Sequence, residues 1–352
     1  DYPMIDGVQK GCPHHILEGA RTNSFPYSES FSNSDWTKSD ATITSNSIIS
    51  PNGTLNASKL TENTVNSNHR ISDTIIVSGT GVAYTQSIFA KSGGNGRYLR
   101  MFRGSGTYNN AVFDLENGTV VSESGSNIIK TKIEKHPNGW YRCISTYTTQ
   151  FGNIATYYGL QNGNTDSYAG DGTSSIYIYG AQLEAGSYPT SYIPTNGTAV
   201  TRSAETATGA GNSTTFNDSE GVLMAEIEGT EDGTNKFITI SDGSIQNRIT
   251  IIFLSNNIVG QIRASNSEVF YQSTSGISIE NYNKIAVYYK TNQCKLFVNG
   301  MQVGLIDTLA PMPSGLNTLT FDDGSGGSDF YGKTKQLQYF DSAIADTQLE
   351  QL

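Results

Sequence analysis

Along most of this chain, apolar side chains recur at every second position in short runs punctuated by glycine and asparagine, with no helical stripe. A period of two sends alternate side chains to opposite faces of an extended strand, so the pattern predicts β-structure throughout. In the first half it predicts strands at 41–49, 58–60, 69–77, 83–91, 98–103, 111–114, 128–134, 139–149, 154–160 and 175–183. In the second half it predicts strands at 221–227, 237–240, 248–254, 258–263, 268–272, 283–290, 294–298 and 316–321. Asn-Gly pairs beginning at Asn52, Asn95, Asn117, Asn138 and Asn162 supply turns, because both residues tolerate positive φ. Short strands at this spacing build a sandwich or jelly roll.

The tyrosine alternation Ile176-Tyr-Ile-Tyr179 runs into Tyr188-Pro-Thr-Ser-Tyr-Ile-Pro194, where Pro189 and Pro194 each remove a backbone donor and hold their predecessors extended. A first domain therefore ends near Thr201. The stretch 206–218 is rich in Gly, Ser and Thr and offers nothing apolar to pack until Phe216, which marks an interdomain boundary. At the other end, Pro3, Gly7, Gly11, Pro13 and Gly19 interrupt any periodicity. That stretch reads as a connector wrapping onto the first sandwich. The expected organisation is a connector at 1–22, a jelly-roll domain at 23–203, a linker at 204–219 and a second sandwich at 220–352. Near the C-terminus Asp346 is expected to cap a short helix carrying Leu349 and Leu352.

Several segments carry a family likeness. Asp1-Tyr-Pro, Gly11-Cys-Pro, Leu17-Glu-Gly-Ala-Arg-Thr-Asn23, Tyr27-Ser-Glu-Ser-Phe31 with Trp36, Ser50-Pro-Asn-Gly-Thr54, Phe89-Ala-Lys91, Asn138-Gly-Trp-Tyr-Arg-Cys143, the closing tyrosine segment and Ala199-Val-Thr-Arg202 follow one another in order. In this the first part of the chain resembles carbohydrate-binding-type modules that recur in tail-fibre, spike and head-fibre proteins of tailed bacteriophages, and in some secreted bacterial carbohydrate-binding proteins. The second part resembles a laminin-G or concanavalin-type sandwich. That likeness rests on Lys284-Ile-Ala-Val-Tyr-Tyr-Lys290, Lys295-Leu-Phe-Val-Asn-Gly300 and the terminal segment from Gly332 to Glu350. The fold class expected is thus all-β, as two tandem β-sandwiches.

Composition agrees, with Gly 37, Tyr 20 and charged residues at only 15%. The net charge of −10, with Lys and Arg scattered, excludes nucleic acid as a partner, since phosphates demand a basic face. It also disfavours anionic membrane surfaces, and no apolar run approaches the roughly 20 residues a spanning helix needs. Cys12, Cys143 and Cys294 lie far apart and are odd in number, so no disulfide framework is encoded. Asn-x-Ser/Thr triplets at Asn52, Asn56, Asn117, Asn196, Asn212 and Asn217 would be glycan acceptors in a eukaryotic secreted protein and are turn-rich surface otherwise.

Enzymatic signatures are missing: there is no His-Glu-x-x-His, nucleophile elbow, phosphate loop or dinucleotide fingerprint. Glu116, Glu123, Glu134, Asp166 and Asp171 give no sequence reason to pair as catalytic acids. Cys12-Pro-His-His15 lacks the fourth ligand of a zinc site. Asp322, Asp323 and Asp329 place three carboxylates in a glycine-rich loop, the oxygen environment calcium favours, and calcium is the one cofactor the sequence admits.

Sugar binding needs aromatic rings for C–H faces and planar polar groups for hydroxyls. Alternation along Arg97–Arg103 puts Tyr98, Arg100 and Phe102 on one face and Arg97, Leu99, Met101 and Arg103 on the other. A Tyr98/Arg100 pair suits an acidic or hydroxylated glycan. Trp36, His69, Arg70, Arg142 and Tyr157 join them as candidate ligand-binding residues, whereas Trp140 reads as core. Tyr157 and Tyr158 point to opposite faces, so one is free for ligand.

The resemblance implies a non-enzymatic virion structural protein, a phage fibre or spike that binds host-surface polysaccharide. It would work with other virion proteins and as a homo-oligomer, a trimer by analogy, since many weak sites sum to strong attachment. The alternatives are a secreted bacterial pair of carbohydrate-binding modules and a polysaccharide-degrading enzyme.

Overall fold

The computed structural model describes residues 4–5, 8–9, 14–77, 80–104, 109–150, 152–230, 233–255, 257–307 and 311–351. The protein is all-β, and its long-range contacts divide it into two compact units. One unit contains Ala20–Ser203 and is called here the first sandwich; the other joins residues 14–19 to residues 204–351 and is the second.

In the first sandwich two six-stranded antiparallel sheets face each other. The front sheet runs in the order Thr119–Ser124, Asn109–Asp114, Arg97–Gly104, Asn153–Asn162, Arg70–Ile76 and Thr37–Ser39. The back sheet runs Ile128–Lys135, Tyr141–Thr148, Ala83–Ser92, Ser175–Ala185, Leu55–Glu62 and Ala41–Ile49. The chain passes repeatedly from one sheet to the other, giving a jelly-roll sandwich. Between the sheets lie Leu60, Ile71, Ile88, Leu99, Ala111, Phe113, Cys143, Ile154, Tyr158 and Ile178, all but completely buried. Burial of this apolar surface is the main favourable term in folding.

The proline-bearing tail after Ala185 folds back over the outer face of the back sheet. Glu184, fully buried, accepts from the Thr190 backbone N–H at 2.9 Å and its hydroxyl at 2.7 Å, and the Gln182 side-chain oxygen accepts from Ile193 N–H at 2.7 Å. Tyr192 then packs within 5.6 Å of Tyr179 and 6.1 Å of Phe89, completing an apolar layer with Trp140 and Ala57. Gly180 makes this possible. Its φ is +62°, and a Cβ there would lie 3.1 Å from Tyr192 and 3.2 Å from Phe89.

The second sandwich pairs a six-stranded sheet with a five-stranded one. The first runs Met301–Asp307, Gln293–Val298, Asn283–Lys290, Glu220–Gly229, Gly332–Phe340 and His15–Leu17; the second runs Ser267–Ser273, Asn257–Ala264, Arg248–Leu254, Lys236–Ser241 and Thr318–Thr320. Leu223, Ile238, Ile251, Ile262, Val287 and Leu296 form its core.

Two expectations need correction. The segment read as a connector onto the first sandwich contributes His15–Leu17 as an edge strand of the second, with Leu17 opposite Gly332 and His15 opposite Thr334. The physical reason is Leu17, which is 4% exposed in the second core; one apolar anchor in a proline- and glycine-broken stretch carries no period to reveal its partner. The helix Asp346–Leu349 does form, but Ala345 occupies its cap position and the Gln348 side chain accepts from the Ala345 N–H at 3.1 Å. Asp346 instead sits in the first turn, where it binds the Lys295 ammonium at 2.5 Å. Leu352 and Cys12 lie outside the described residues.

Candidate functional site

Strand pairing fixes which side chains share the outer face of the front sheet. Arg100 lies opposite Gly159, and Gly159 lies opposite Arg70, so three adjacent strands form the row Arg100–Gly159–Arg70. Two residues further along, the row is Phe102–Tyr157–Ser72; on the other side Tyr98 faces Gln161. Inward from the same strands point Leu99 and Met101, at 0% and 2% exposure. The inner-face arginines sit at the strand ends. Arg97 clasps Glu62 in two hydrogen bonds of 2.8 and 2.9 Å, and Arg103 lies 3.4 Å from the ring centre of Tyr147.

The outer face is an aromatic and cationic platform. Phe102 and Tyr157 are stacked at 4.4 Å with 4° between their planes. The Arg100 guanidinium lies 4.2 Å over Phe102, and that of Arg70 lies 4.9 Å from Tyr157 and 5.5 Å from Phe102. Such contacts draw a cation to the electron-rich ring face. Arg100 is further held by Asp166 at 2.8 Å, Asn110 at 2.6 Å and Asn68 at 3.0 Å. Burial lowers the Arg100 pKa, Asp166 opposes that shift, and the charge of Arg70 adds to it.

Of the residues singled out from sequence, Arg70, Tyr98, Arg100 and Tyr157 come together here, all half-buried. Three others do not. Trp36 is 1% exposed in the core, between Phe25 and Phe31 at 5.0 and 5.2 Å, with its indole N–H donating to the Tyr27 carbonyl. His69 is equally buried, its ring nitrogens facing the carbonyls of Asp40 at 2.6 Å and Tyr168 at 3.1 Å. Arg142 belongs to the back sheet, where it donates to Ser87 and to the Thr190 carbonyl beneath the folded-back tail. Residue type alone points each of them to a ligand, whereas in the fold each polar group is satisfied internally by a backbone carbonyl, and in Arg142 also by the Ser87 hydroxyl. Trp140 is 1% exposed within the back-sheet layer, donating to the Ile49 carbonyl.

Reading the sequence also missed members of the platform. Phe102 shares the face of Arg100 by alternation alone and could have been chosen. Asp166 gives no sequence reason to pair with any acid, and its partner Arg100 is set by the fold. Asn68 and Gly159 give no local signal, since their roles exist only through cross-strand register.

The calcium candidates do not converge. Asp322 accepts from the Thr320 hydroxyl at 2.8 Å and Gly324 N–H at 2.6 Å; Asp323 accepts from Ser325 at 2.8 and 2.9 Å; Asp329 accepts from the Tyr331 hydroxyl at 2.9 Å. Among the described residues no three His, Cys, Asp or Glu side chains gather where an ion could be held. These carboxylates brace their own loop. Burial pushes the Asp323 carboxyl up, but hydrogen bonds from Ser325 and Gly327 and the charge of Arg248 bring it below the usual range.

A cavity of about 430 Å³ also opens in the first sandwich between Arg21, Thr22, Tyr84 and Ala185. Its single ring, Tyr84, is 4% exposed, so it lacks a stacking surface. No helix of the described residues is long and apolar enough to cross a membrane.

No protein-family model matches this chain, and no curated protein sequence matches it. Among solved structures it is similar to mouse laminin alpha1 chain domains LG4-5, at 10% identity and a TM-score of 0.28, covering 80% of this chain and 89% of that one. It is similar to the LG1-3 region of the laminin alpha2 chain at 9% identity and a TM-score of 0.30, covering 80% and 66%. The full extracellular region of zebrafish Gpr126/Adgrg6 overlaps at 12% identity and a TM-score of 0.29, covering 84% and 37%. Overlaps this loose decide nothing further, and the sandwich architecture rests on the chain's own sheets.

Proposed function

We propose that this protein is a non-catalytic adhesion protein that holds a polysaccharide on the outer face of the front sheet, working as a fibre or spike of a tailed bacteriophage. The observation that carries the reading is an asymmetry between the two sheets. The outer face of the back sheet is sealed by Phe89, Trp140, Tyr179 and the returning tail. The front sheet has no counterpart to that layer among the described residues, and it presents Arg70, Tyr98, Arg100 and Tyr157 half-exposed. Rings for C–H stacking beside fixed guanidinium donors are what sugar recognition requires. The buried carboxylates of this sandwich support a binding role over a hydrolytic one. Glu62 and Glu184 are at most 2% exposed and taken up by internal donors, so neither reaches a glycosidic oxygen.

The ordered resemblance of the first two hundred or so residues supports the virion assignment; a secreted bacterial binding module uses the same face. The test is a polysaccharide panel read by binding and by release of reducing ends, with Tyr157→Ala alongside the wild type. Binding without product, weakened about 5- to 150-fold by the substitution, is the expected outcome, given that stacking one ring contributes roughly 1–3 kcal/mol. Product release overturns the non-catalytic reading. Copies seen on particles by immuno-electron microscopy select the virion over the secreted protein.

A further inference from the structure

We infer that the front-sheet site takes a sugar bearing a carboxylate, a uronic or sialic acid residue, and that Arg70 is the group that reads it. This rests on the glycan-binding reading above and deepens it. Three features of the platform support it.

The first is the unequal state of the two arginines. Arg100 is already neutralised by Asp166 and donates to Asn68 and Asn110. The Arg70 side chain makes no hydrogen bond and no ion pair among the described residues, and its Nε is buried without an acceptor. Its only close contacts of note are the rings of Tyr157 and Phe102. Asp40 senses its charge, but the Asp40 carboxylate is hydrogen-bonded to Asn63. The Nε is closed to solvent, so a planar anion would be held end-on by the Nη groups of this half-exposed side chain.

The second is space. Gly159 separates Arg70 from Arg100 in the cross-strand row, and a Cβ at this position would approach the His69 carbonyl at 3.0 Å and Arg70 Cβ at 3.2 Å. Any larger residue would fill the gap between the two guanidiniums. Neighbouring strands are about 4.8 Å apart, which sets the Cα atoms of the two arginines roughly 10 Å apart with no side chain between them, above the buried Gly159.

The third is charge. Burial is the main cause of the lowered Arg100 pKa, Asp166 opposes it, and the charge of Arg70 across Gly159 lowers it further, so the two guanidiniums act on each other unfavourably. An anion between them relieves the repulsion, whereas a neutral sugar leaves it in place. Tyr157, half-exposed and backed by the buried Phe102 ring, then meets the apolar face of the same sugar. The protein as a whole carries −10, so attraction for an acidic sugar has to come from this local pair, acting within a screening length of about 8 Å at physiological salt.

The experiment uses the whole chain on an array of carboxylated oligosaccharides, both uronates of several linkages and sialylated glycans. Each is printed beside its methyl ester, with neutral oligosaccharides included, and hits are titrated by calorimetry. The wild type is expected to bind free acids at least tenfold more tightly than their esters. Arg70→Gln should bring the free acid down to the affinity of the ester measured on the same variant, with the fold retained by circular dichroism, and Arg70→Lys should keep only part of the preference because the fork is lost. Equal binding of acid and ester, or a preference that survives in Arg70→Gln, overturns this inference and leaves glycan binding standing. Failure to bind any glycan on the array overturns both.

Discussion

Replacing Glu62 by alanine gives the sharpest test of how the first sandwich is held together. The Glu62 side chain is fully buried and accepts four hydrogen bonds: Arg97 Nε at 2.8 Å and Nη2 at 2.9 Å, the Tyr168 hydroxyl at 2.7 Å and the Asp171 N–H at 2.9 Å. Arg97, at 12% side-chain exposure, opens the strand that carries Arg100 and Phe102. Removing the acid leaves a guanidinium that water reaches poorly with only the longer contact to Asp171, at 3.5 Å. Breaking a buried pair in this way costs about 3–5 kcal/mol, and the residual exposure of Arg97 points to the lower end. For a unit of this size each kcal/mol moves the midpoint by about 2–4 °C, so a drop of roughly 6–12 °C is expected. Scanning calorimetry on the whole chain measures it. Replacing both partners, Glu62→Leu with Arg97→Met, should recover most of the loss, because no charge is then left unpaired. A single substitution costing under about 1 kcal/mol, or a double variant no better than the single, would refute the argument.

The same carboxyl sets a pH dependence. Burial pushes the Glu62 pKa up, but the bonds from Arg97, Tyr168 and Asp171 outweigh it and hold the folded value below the ordinary one. The unfolded chain therefore takes up its proton first as pH falls. Stability from this group is fully present above about pH 4.3 and is lost as pH drops through the folded value, so Glu62→Gln should flatten the acid limb of the stability curve.

Other expectations concern packing. Trp36→Ala should destabilise the first sandwich by about 3–5 kcal/mol in urea titration while glycan affinity per folded molecule stays unchanged, because the indole is enclosed by Phe25, Phe31 and Tyr158 and does not reach the platform. Gly180→Ala should cost at least about 1 kcal/mol from its positive φ and its contacts with Tyr192 and Phe89, and should raise protease sensitivity of the 186–195 tail first. Cys143 and Cys294 are buried, and burial pushes the Cys143 thiol well up, so both should resist alkylation until denaturant is added, as peptide mapping would reveal.

What the sequence made legible follows from how far each signal reaches. Alternation is a local property, so the strand Arg97–Gly104 announced both its faces, and the platform residues Tyr98 and Arg100 with it. Arg70 and Tyr157 were recognisable as candidates, but their meeting depends on two strand registers that no local pattern encodes. Trp36 and His69 misled for the opposite reason. Their chemistry suits a ligand, yet each is tied to a backbone carbonyl of another segment, and only tertiary structure says which oxygen satisfies a side chain. The aspartates of the 322–329 loop show the same limit: carboxylates close in sequence turned to their own backbone amides and hydroxyls.

The pairing of His15–Leu17 with Gly332–Phe340 bears on how the polypeptide is made. Translation delivers residues 20–203 long before Gly332 leaves the ribosome, and these can fold at once, whereas the strand 15–17 must wait through more than three hundred further residues for its neighbour. Closure of so long a loop is slow compared with local pairing. The final edge of the second sandwich thus forms only after Gly332–Phe340 has emerged, and a nascent chain stalled before that point would display an unzipped strand ready for the wrong companion.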